Sequence, residues 1–363
     1  MVIILVARTA NEHLFYLTKP YGRDELVAIR SKEQFLCPSC GSSLVLKIGD
    51  IKIPHFAHRS LSDCDSLSEP ESPLHLQGKL LLHQFFLDKH FTVELEKYLP
   101  DIRQRADLLV SHHTAIEFQC SAIPGAEVSK RTASYIEIGI APIWIGGIKE
   151  RTSEYIQFIR IKAFQQKMLH ANQNLKYLLL FNPEDRRFYY YSSLFFVSGN
   201  RWIGKVKALP IEKQSFPFAI PKRLAKEEFK SVFALFSQAR KSFIKSQYYA
   251  KNRFQNPFWR LCYMLKLDVK NLPEIIGIPL YSADCITENA VIWQLKAIAA
   301  YKAEIPVKEL VESGTVKLQS QESLKKAELV LENYLAFYRS YRERHINDTS
   351  LLDNLYDFYC KTL

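Results

Sequence analysis

Apolar and polar positions change period several times along the chain. The opening run MVIILVARTA stays apolar until Arg8 and Glu12 and reads as a first strand. The rest of residues 1–66 reads as a small module of short strands and turns. In ESPLHLQGKLLLHQFFLDKH the period becomes helical, with Leu74, Leu81 and Phe85 inward. VELEKYL then alternates Val93 and Leu95 with Glu94 and Glu96, as a half-buried strand does. RADLLV and AIEFQCS read as two more strands, IPGAEVSKRTASYIEIG as a helix, and APIWIGG as a fourth strand that closes the unit. The polar run Lys149-Glu150-Arg151-Thr152-Ser153 marks a boundary. Beyond it KYLLLF, FYYYSSLFFV and WIGKVKAL read as antiparallel strands, with turns at Asn182-Pro183-Glu184-Asp185 and Gly199-Asn200. From about residue 221 apolar spacings of three or four predict helices over 221–250, 254–268, 289–303 and 322–345. The expected organisation is a β module over 1–66, an α/β core over 67–148, a β-rich connecting segment over 149–220 and a mostly helical domain over 221–363.

With 363 residues, 47% of them hydrophobic and 24% charged, the chain reads as globular, not disordered. The excess of 49 Lys and Arg over 38 Asp and Glu gives +11, which points to a polyanion, nucleic acid first. Part of that charge falls on Lys222, Arg223, Lys226, Lys230, Arg240, Lys241, Lys245, Lys251 and Arg253, beside Tyr248, Tyr249, Phe254 and Trp259. Such a mixture can hold phosphates and stack on unpaired bases. Phe229, Phe233, Phe236 and Phe243, at helical spacing, read as core. No apolar run approaches the roughly 20 residues of a membrane span, and the first run lacks the basic lead of a secretion signal. Seven Cys, an odd number with one close pair, predict reduced thiols and a cytoplasmic setting.

That close pair carries the first candidate site. Cys37 and Cys40 flank two residues and precede Gly41, a turn that lets two thiolates grip one tetrahedral ion. His55, His58 and Cys64 follow. The expected Zn²⁺ ligands are Cys37, Cys40, His58 and Cys64, with His55 as the substitute, in a structural role.

The second site lies in the α/β core. Glu71, His75, Lys79 and His83 recur every four residues as one polar stripe. Asp107 and Glu117 sit inside hydrophobic strands, where a carboxylate is costly unless paired or bound to metal. An odd-numbered connection between their strands sets Asp107 across from Glu117 or Gln119 on one face. Two converging carboxylates suit Mg²⁺ or Mn²⁺, which can activate water and stabilise charge on a scissile phosphate. On the following helix Arg131 is placed to reach a phosphate with Tyr135 in support.

A helix, three strands carrying D…ExQ, a helix and a strand resemble the PD-(D/E)XK nuclease core. The finer pattern resembles the competence protein CoiA family: ES…H…K, the run Arg105-Ala106-Asp107, E-F-Q-C-S, a later R…Y, and the I-W-I strand, preceded by the Cys pair and HFAH. The resemblance is good over about residues 30–148 and weaker beyond. It implies an α/β core of restriction-endonuclease-like type, with Asp107 and Glu117 as metal ligands and Gln119 where the superfamily commonly has Lys. Gln carries no charge and cannot act as a base, so Lys79 is expected to supply the missing charge. Glu71, Glu94 or Glu96 is expected to add a carboxylate, His75 to act as acid or base, and Arg105 to join Arg131 and Tyr135 in contacting nucleic acid. The function implied is a metal-dependent DNA nuclease in natural competence, DNA uptake or recombination. Its expected partners are DNA, single-stranded included, and recombination or competence proteins. The alternatives are a non-catalytic DNA-binding recombination mediator on the same fold, and a zinc-stabilised protein-interaction scaffold.

Overall fold

The computed structural model describes residues 4–19, 21–49, 53–59, 72–172, 174–343 and 348–362. Glu71 and Cys64 lie outside them. Strands β1 (Val6–Thr9) and β2 (Leu14–Tyr16), helix α1 (Arg23–Lys32) and strands β3 (Phe35–Leu36), β4 (Ser43–Lys47) and β5 (His55–His58) form the amino-terminal module. Its five strands are ordered β2-β1-β3-β4-β5. Helix α1 stands where turns were expected; it carries Asp24 and Glu25 in its first turn and buries one residue, Leu26, so its apolar signal is faint.

Helix α2 (Pro73–Asp88) opens the larger unit. Ser72 caps it by accepting from the His75 N–H at 3.2 Å, and Pro73 fills the first turn. The expected polar stripe is not solvated: Lys79 is 0% and His83 8% exposed. The helix is enclosed by the sheet on one side and the amino-terminal module on the other. Leu76, Leu82, Phe85 and Phe86 share one apolar cluster with Leu95, Leu108, Ile116 and Phe118 of the sheet and with Leu5, Val6 and Phe56 of the module. Gly78 permits this approach, since a Cβ there would come within 2.0 Å of the Phe118 ring.

The sheet under α2 begins with β6 (Val93–Leu99), β7 (Gln104–Val110) and β8 (Thr114–Gln119), all antiparallel. Helix α3 (Gly125–Glu137) crosses over to β9 (Ala141–Gly147), which pairs with β8 in parallel. The segment expected to be a connector extends this sheet. β10 (Ile156–Arg160), α4 (Ala163–Lys167), β11 (His170–Asn172), β12 (Leu175–Asn182), β13 (Arg187–Ser198) and β14 (Arg201–Pro210) follow, and β12 pairs with β9 in parallel. One nine-stranded sheet results, ordered β10-β14-β13-β12-β9-β8-β7-β6 with β11 against β12. Its continuity is physical: the bare Gly146 lets Leu180 of β12 close on β9, where a Cβ would meet that side chain at 2.5 Å.

Helices α5 (Lys226–Gln247), α6 (Pro257–Met264), α7 (Ala290–Lys302), α8 (Val307–Glu312), α9 (Leu324–Glu343) and α10 (Asp348–Thr362) complete the chain. Their common apolar cluster takes in Phe195, Val197 and Ile203 of β13 and β14, so the helical region is anchored on the far half of the sheet.

Candidate functional site

Three carboxylates fall on successive strands. The pairs Leu95↔Leu108 and Lys97↔Ala106 set Glu96 opposite Asp107, and Leu108↔Ile116 extended by one step sets Asp107 opposite Glu117. The connection between β7 and β8 has three residues, Ser111 to His113, which is the odd count that puts the two acids on one face. Glu96 adopts a left-handed φ of 51°, which breaks the alternation of β6 and leaves Leu95 and Glu96 both buried.

Each acid has a different set of partners. Glu96 Oε1 accepts from Lys79 Nζ at 2.5 Å and Oε2 from the Leu5 N–H at 2.8 Å. Lys79 Nζ also lies 3.7 Å from Asp107 Oδ1. Asp107 Oδ2 accepts from the Phe118 N–H at 2.9 Å and lies 3.3 Å from His75 Nε2. Glu117 Oε1 accepts from Arg131 Nη2 at 2.5 Å and from the Tyr135 hydroxyl. The Arg131 guanidinium in turn stacks 5.4 Å from the Trp144 ring and, at 22% side-chain exposure, is the wettest member of this set.

These neighbours push the carboxyls apart. Burial works against the charge on Asp107, but His75, Lys79 and Arg131 outweigh it and hold the group below the usual carboxylate range. Glu117 goes the other way: burial, helped by the charge of Asp107, pushes it up to about 7 despite Arg131 and Tyr135. Burial also opposes the Glu96 charge, and Lys79 and Arg105 overcome it, so that group is lowered. Burial and the Glu117 charge raise the Tyr135 hydroxyl, which therefore stays a donor. A low and a high carboxyl side by side are the arrangement in which acid and base roles can be divided.

The other expected residues are distributed unevenly. Gln119 turns away from the acids, donating to the Ser121 carbonyl at 3.0 Å and hydroxyl at 3.1 Å. Glu94 belongs to the outer surface, where it pairs with Lys97 at 2.6 Å and His112 at 3.4 Å. Glu96, with both oxygens engaged, supports Lys79. Arg105 adds charge beside Glu96, and its carbonyl accepts from Arg131 Nη2 at 3.5 Å. Tyr135 is 0% exposed, so a nucleic acid cannot touch it as the chain stands; its place is behind Glu117. Arg131, expected to reach a phosphate, is paired with Glu117 of the neighbouring strand. The Leu5 N–H and the Trp144 ring also escaped notice. A backbone donor leaves no mark in a sequence, whereas Trp144 in the I-W-I strand was visible without an assigned role.

The Cys pair makes a separate site. Cys37, Cys40 and His58 bring one ligand atom each within 4.8 Å of one another, and Cys40 Sγ stands 3.4 Å from His58 Nε2. The knuckle turns on Gly41 at φ +71°, with the Gly41 N–H donating to the Cys37 carbonyl at 2.9 Å. His55 is not part of this group: its Nδ1 bonds the Ile53 carbonyl at 2.9 Å. Among the described residues this is the only such group of Cys, His and carboxylate ligands.

Comparison with known proteins agrees with this division. The model of the competence protein CoiA nuclease-like domain matches residues 71–223, and that of the CoiA amino-terminal domain matches residues 18–67. A Competence protein CoiA from Bacillus subtilis (strain 168) is 32% identical over 185 residues. That match covers 50% of this chain and 49% of the relative, so the aligned region spans about half the length of that protein. No solved structure matches the chain.

Proposed function

Because the chain belongs to the competence protein CoiA family, we propose that its nuclease-like domain is a Mg²⁺- or Mn²⁺-dependent deoxyribonuclease of PD-(D/E)XK type, acting on incoming or recombining DNA in the cytoplasm. The observation that carries this reading is Asp107 set opposite Glu117 on one sheet face among basic groups. The Asp107 and Glu117 carboxylates are hard oxygen donors of the kind a small divalent ion takes, so these two residues fit, while Gln119, bonded to Ser121, stands aside. When bound, such an ion supplies an activated water and a counter-charge for a phosphate. The chain's own groups do the rest. Arg131, released from Glu117, can hold a phosphate oxygen. His75, 3.3 Å from Asp107, can move a proton. Lys79, wholly buried, keeps a positive charge at the place where Gln119 has none. The Cys37, Cys40 and His58 group suits Zn²⁺ in a structural role.

Cleavage of single-stranded, double-stranded and branched DNA across divalent metals tests the reading. Asp107→Ala and Glu117→Ala are each expected to abolish cleavage with the circular dichroism spectrum retained; undiminished cutting by both variants would refute the assignment. A second reading, a DNA-binding recombination mediator without catalysis, is favoured by one observation. Gln119 is bonded back onto Ser121 while Arg131 and Tyr135 satisfy Glu117. Salt-sensitive DNA binding with no cleavage in any metal selects it.

A further inference from the structure

The helical region carries a surface that the nuclease-like site does not use and that lies outside residues 18–67 and 71–223 matched by the two domain models. From Phe229 to Leu267 the chain has eight basic residues and no acidic one. Along α5, Lys230, Lys241 and Lys245 recur on one face and line a cavity of about 710 Å³. Fifteen residues of helix spread these charges over about 22 Å. All three lysines are exposed, and none pairs with a carboxylate among the described residues. Among those residues Glu274 is the one acid on the wall. Arg240 belongs to the wall in another sense, since its guanidinium is spent on the carbonyls of Leu272, Pro273 and Ile276 and braces the far side.

At the carboxyl end of α5 the lysine row runs into bare aromatic rings. Tyr249 is 77% and Phe254 93% exposed, with Tyr248 at 36%. Arg253 lies 5.0 Å from the Trp259 ring, which pins the loop that presents Phe254. Exposed rings cost solubility and are kept where something covers them. A groove of cations followed along the chain by exposed rings is an arrangement that can track a phosphate backbone and stack unpaired bases. A flat amphipathic face would suit a lipid surface better; here the lysines converge on a concavity.

We infer that the α5 groove binds single-stranded nucleic acid, with Lys230, Lys241 and Lys245 on the phosphates and Tyr249 and Phe254 under the bases. The choice of ligand rests on the nuclease reading; the surface does not, because it is a separate site. It gives the protein a hold on a strand away from the point of chemistry.

Anisotropy of labelled oligothymidylate on the full chain, without added divalent ions, reads this binding apart from cleavage. Lys241→Ala with Lys245→Ala is expected to lower the slope of log affinity against log salt by about 1.4, or about 0.7 for each phosphate no longer neutralised. Phe254→Ala is expected to weaken binding about tenfold with little change in slope. A control pair, Lys302→Ala with Lys325→Ala, leaves both quantities as they were. Unchanged affinity and slope in the α5 variants overturns the proposal. So does binding to phosphatidylserine vesicles that oligothymidylate fails to displace, which assigns the surface to membrane. Asp107→Ala is expected to lose cleavage and keep oligothymidylate binding; absence of cleavage by the unaltered chain in every metal sinks the nuclease reading, and oligothymidylate binding is read apart from it.

Discussion

Two clusters of chemistry-bearing side chains stand among the described residues, and they are built on opposite principles. Around Asp107 and Glu117 every carboxylate already has a cation or donor: Lys79, His75, Arg131, Tyr135 and two backbone N–H groups. Such a site holds its own shape, and an ion must compete for its ligands. Around Cys37, Cys40 and His58 two thiols and an imidazole face one another within 4.8 Å. All three are electron-pair donors in the form that binds metal, so the group gains a central positive charge when the ion arrives. A self-neutralised network is ordered without an ion, whereas a group of facing thiols and imidazole is the kind that an ion would draw together.

The sharpest way to break this contrast is to remove metal. Cys37→Ser with Cys40→Ser, or chelation, is expected to loosen the amino-terminal module by several kcal/mol, out of the ~10 or more that a structural zinc can contribute. Limited proteolysis should then cut first before residue 72, ahead of the sheet on which the module packs. Equal protection with and without metal would erase the distinction. Next in size, Lys79→Ala leaves Glu96 buried without its cation and should cost about 3–5 kcal/mol in urea unfolding, with or without divalent ions. A metal-dependent loss would mean that an ion, not Lys79, balances the acids.

The third test uses pH. Glu117 must be ionised to hold a cation, and its group sits up at about 7. Affinity for Mg²⁺ or Mn²⁺, and with it cleavage at sub-saturating metal, should therefore fall about tenfold per pH unit below that point. Stability without metal has the opposite sign. The raised Glu117 contributes fully below its ordinary 4.5 and loses that contribution as pH rises through about 7. The lowered Asp107 contributes above its ordinary 3.8 and loses its share as pH falls below that. A profile flat from pH 6 to 8 would argue that Glu117 is not a ligand. The smallest effect is expected from Tyr135→Phe. It removes one hydrogen bond worth about 1–2 kcal/mol from Glu117, and because that bond favours the ionised form, the midpoint of the pH profile should move upward. An unmoved midpoint would place Tyr135 outside the acid's balance.

Much of the frame was readable from period alone. Residues 93–147 contain a hairpin pair and a crossover whose alternation and turn residues point one way, and strands and helix appear where their patterns place them. What escaped was information that lives between distant segments. The polar run 149–153 looks like an edge, yet the sheet passes it by pairing β12 with β9, and long-range pairing leaves no local signature. His75, Lys79 and His83 look like a wet stripe because polarity suggests water; Lys79 is buried because Glu96 lies opposite it, a partner 17 residues away. At the site, residue types identified Asp107 and Glu117, while direction separated Gln119, which turns to Ser121, from Arg131, which turns inward.

The bond from the Leu5 N–H to Glu96 has a consequence for how this protein can be divided. The two matched stretches, 18–67 and 71–223, look like separable modules on a map of the sequence. Leu5 precedes the first of them, yet its backbone reaches the carboxylate that steadies Lys79 in the second. A cut at residue 72 would therefore not release an intact nuclease-like domain; it would expose a buried acid and the apolar floor of α2 together. The two stretches are therefore one packed unit, held by a shared apolar cluster and by the Leu5 hydrogen bond to that buried acid.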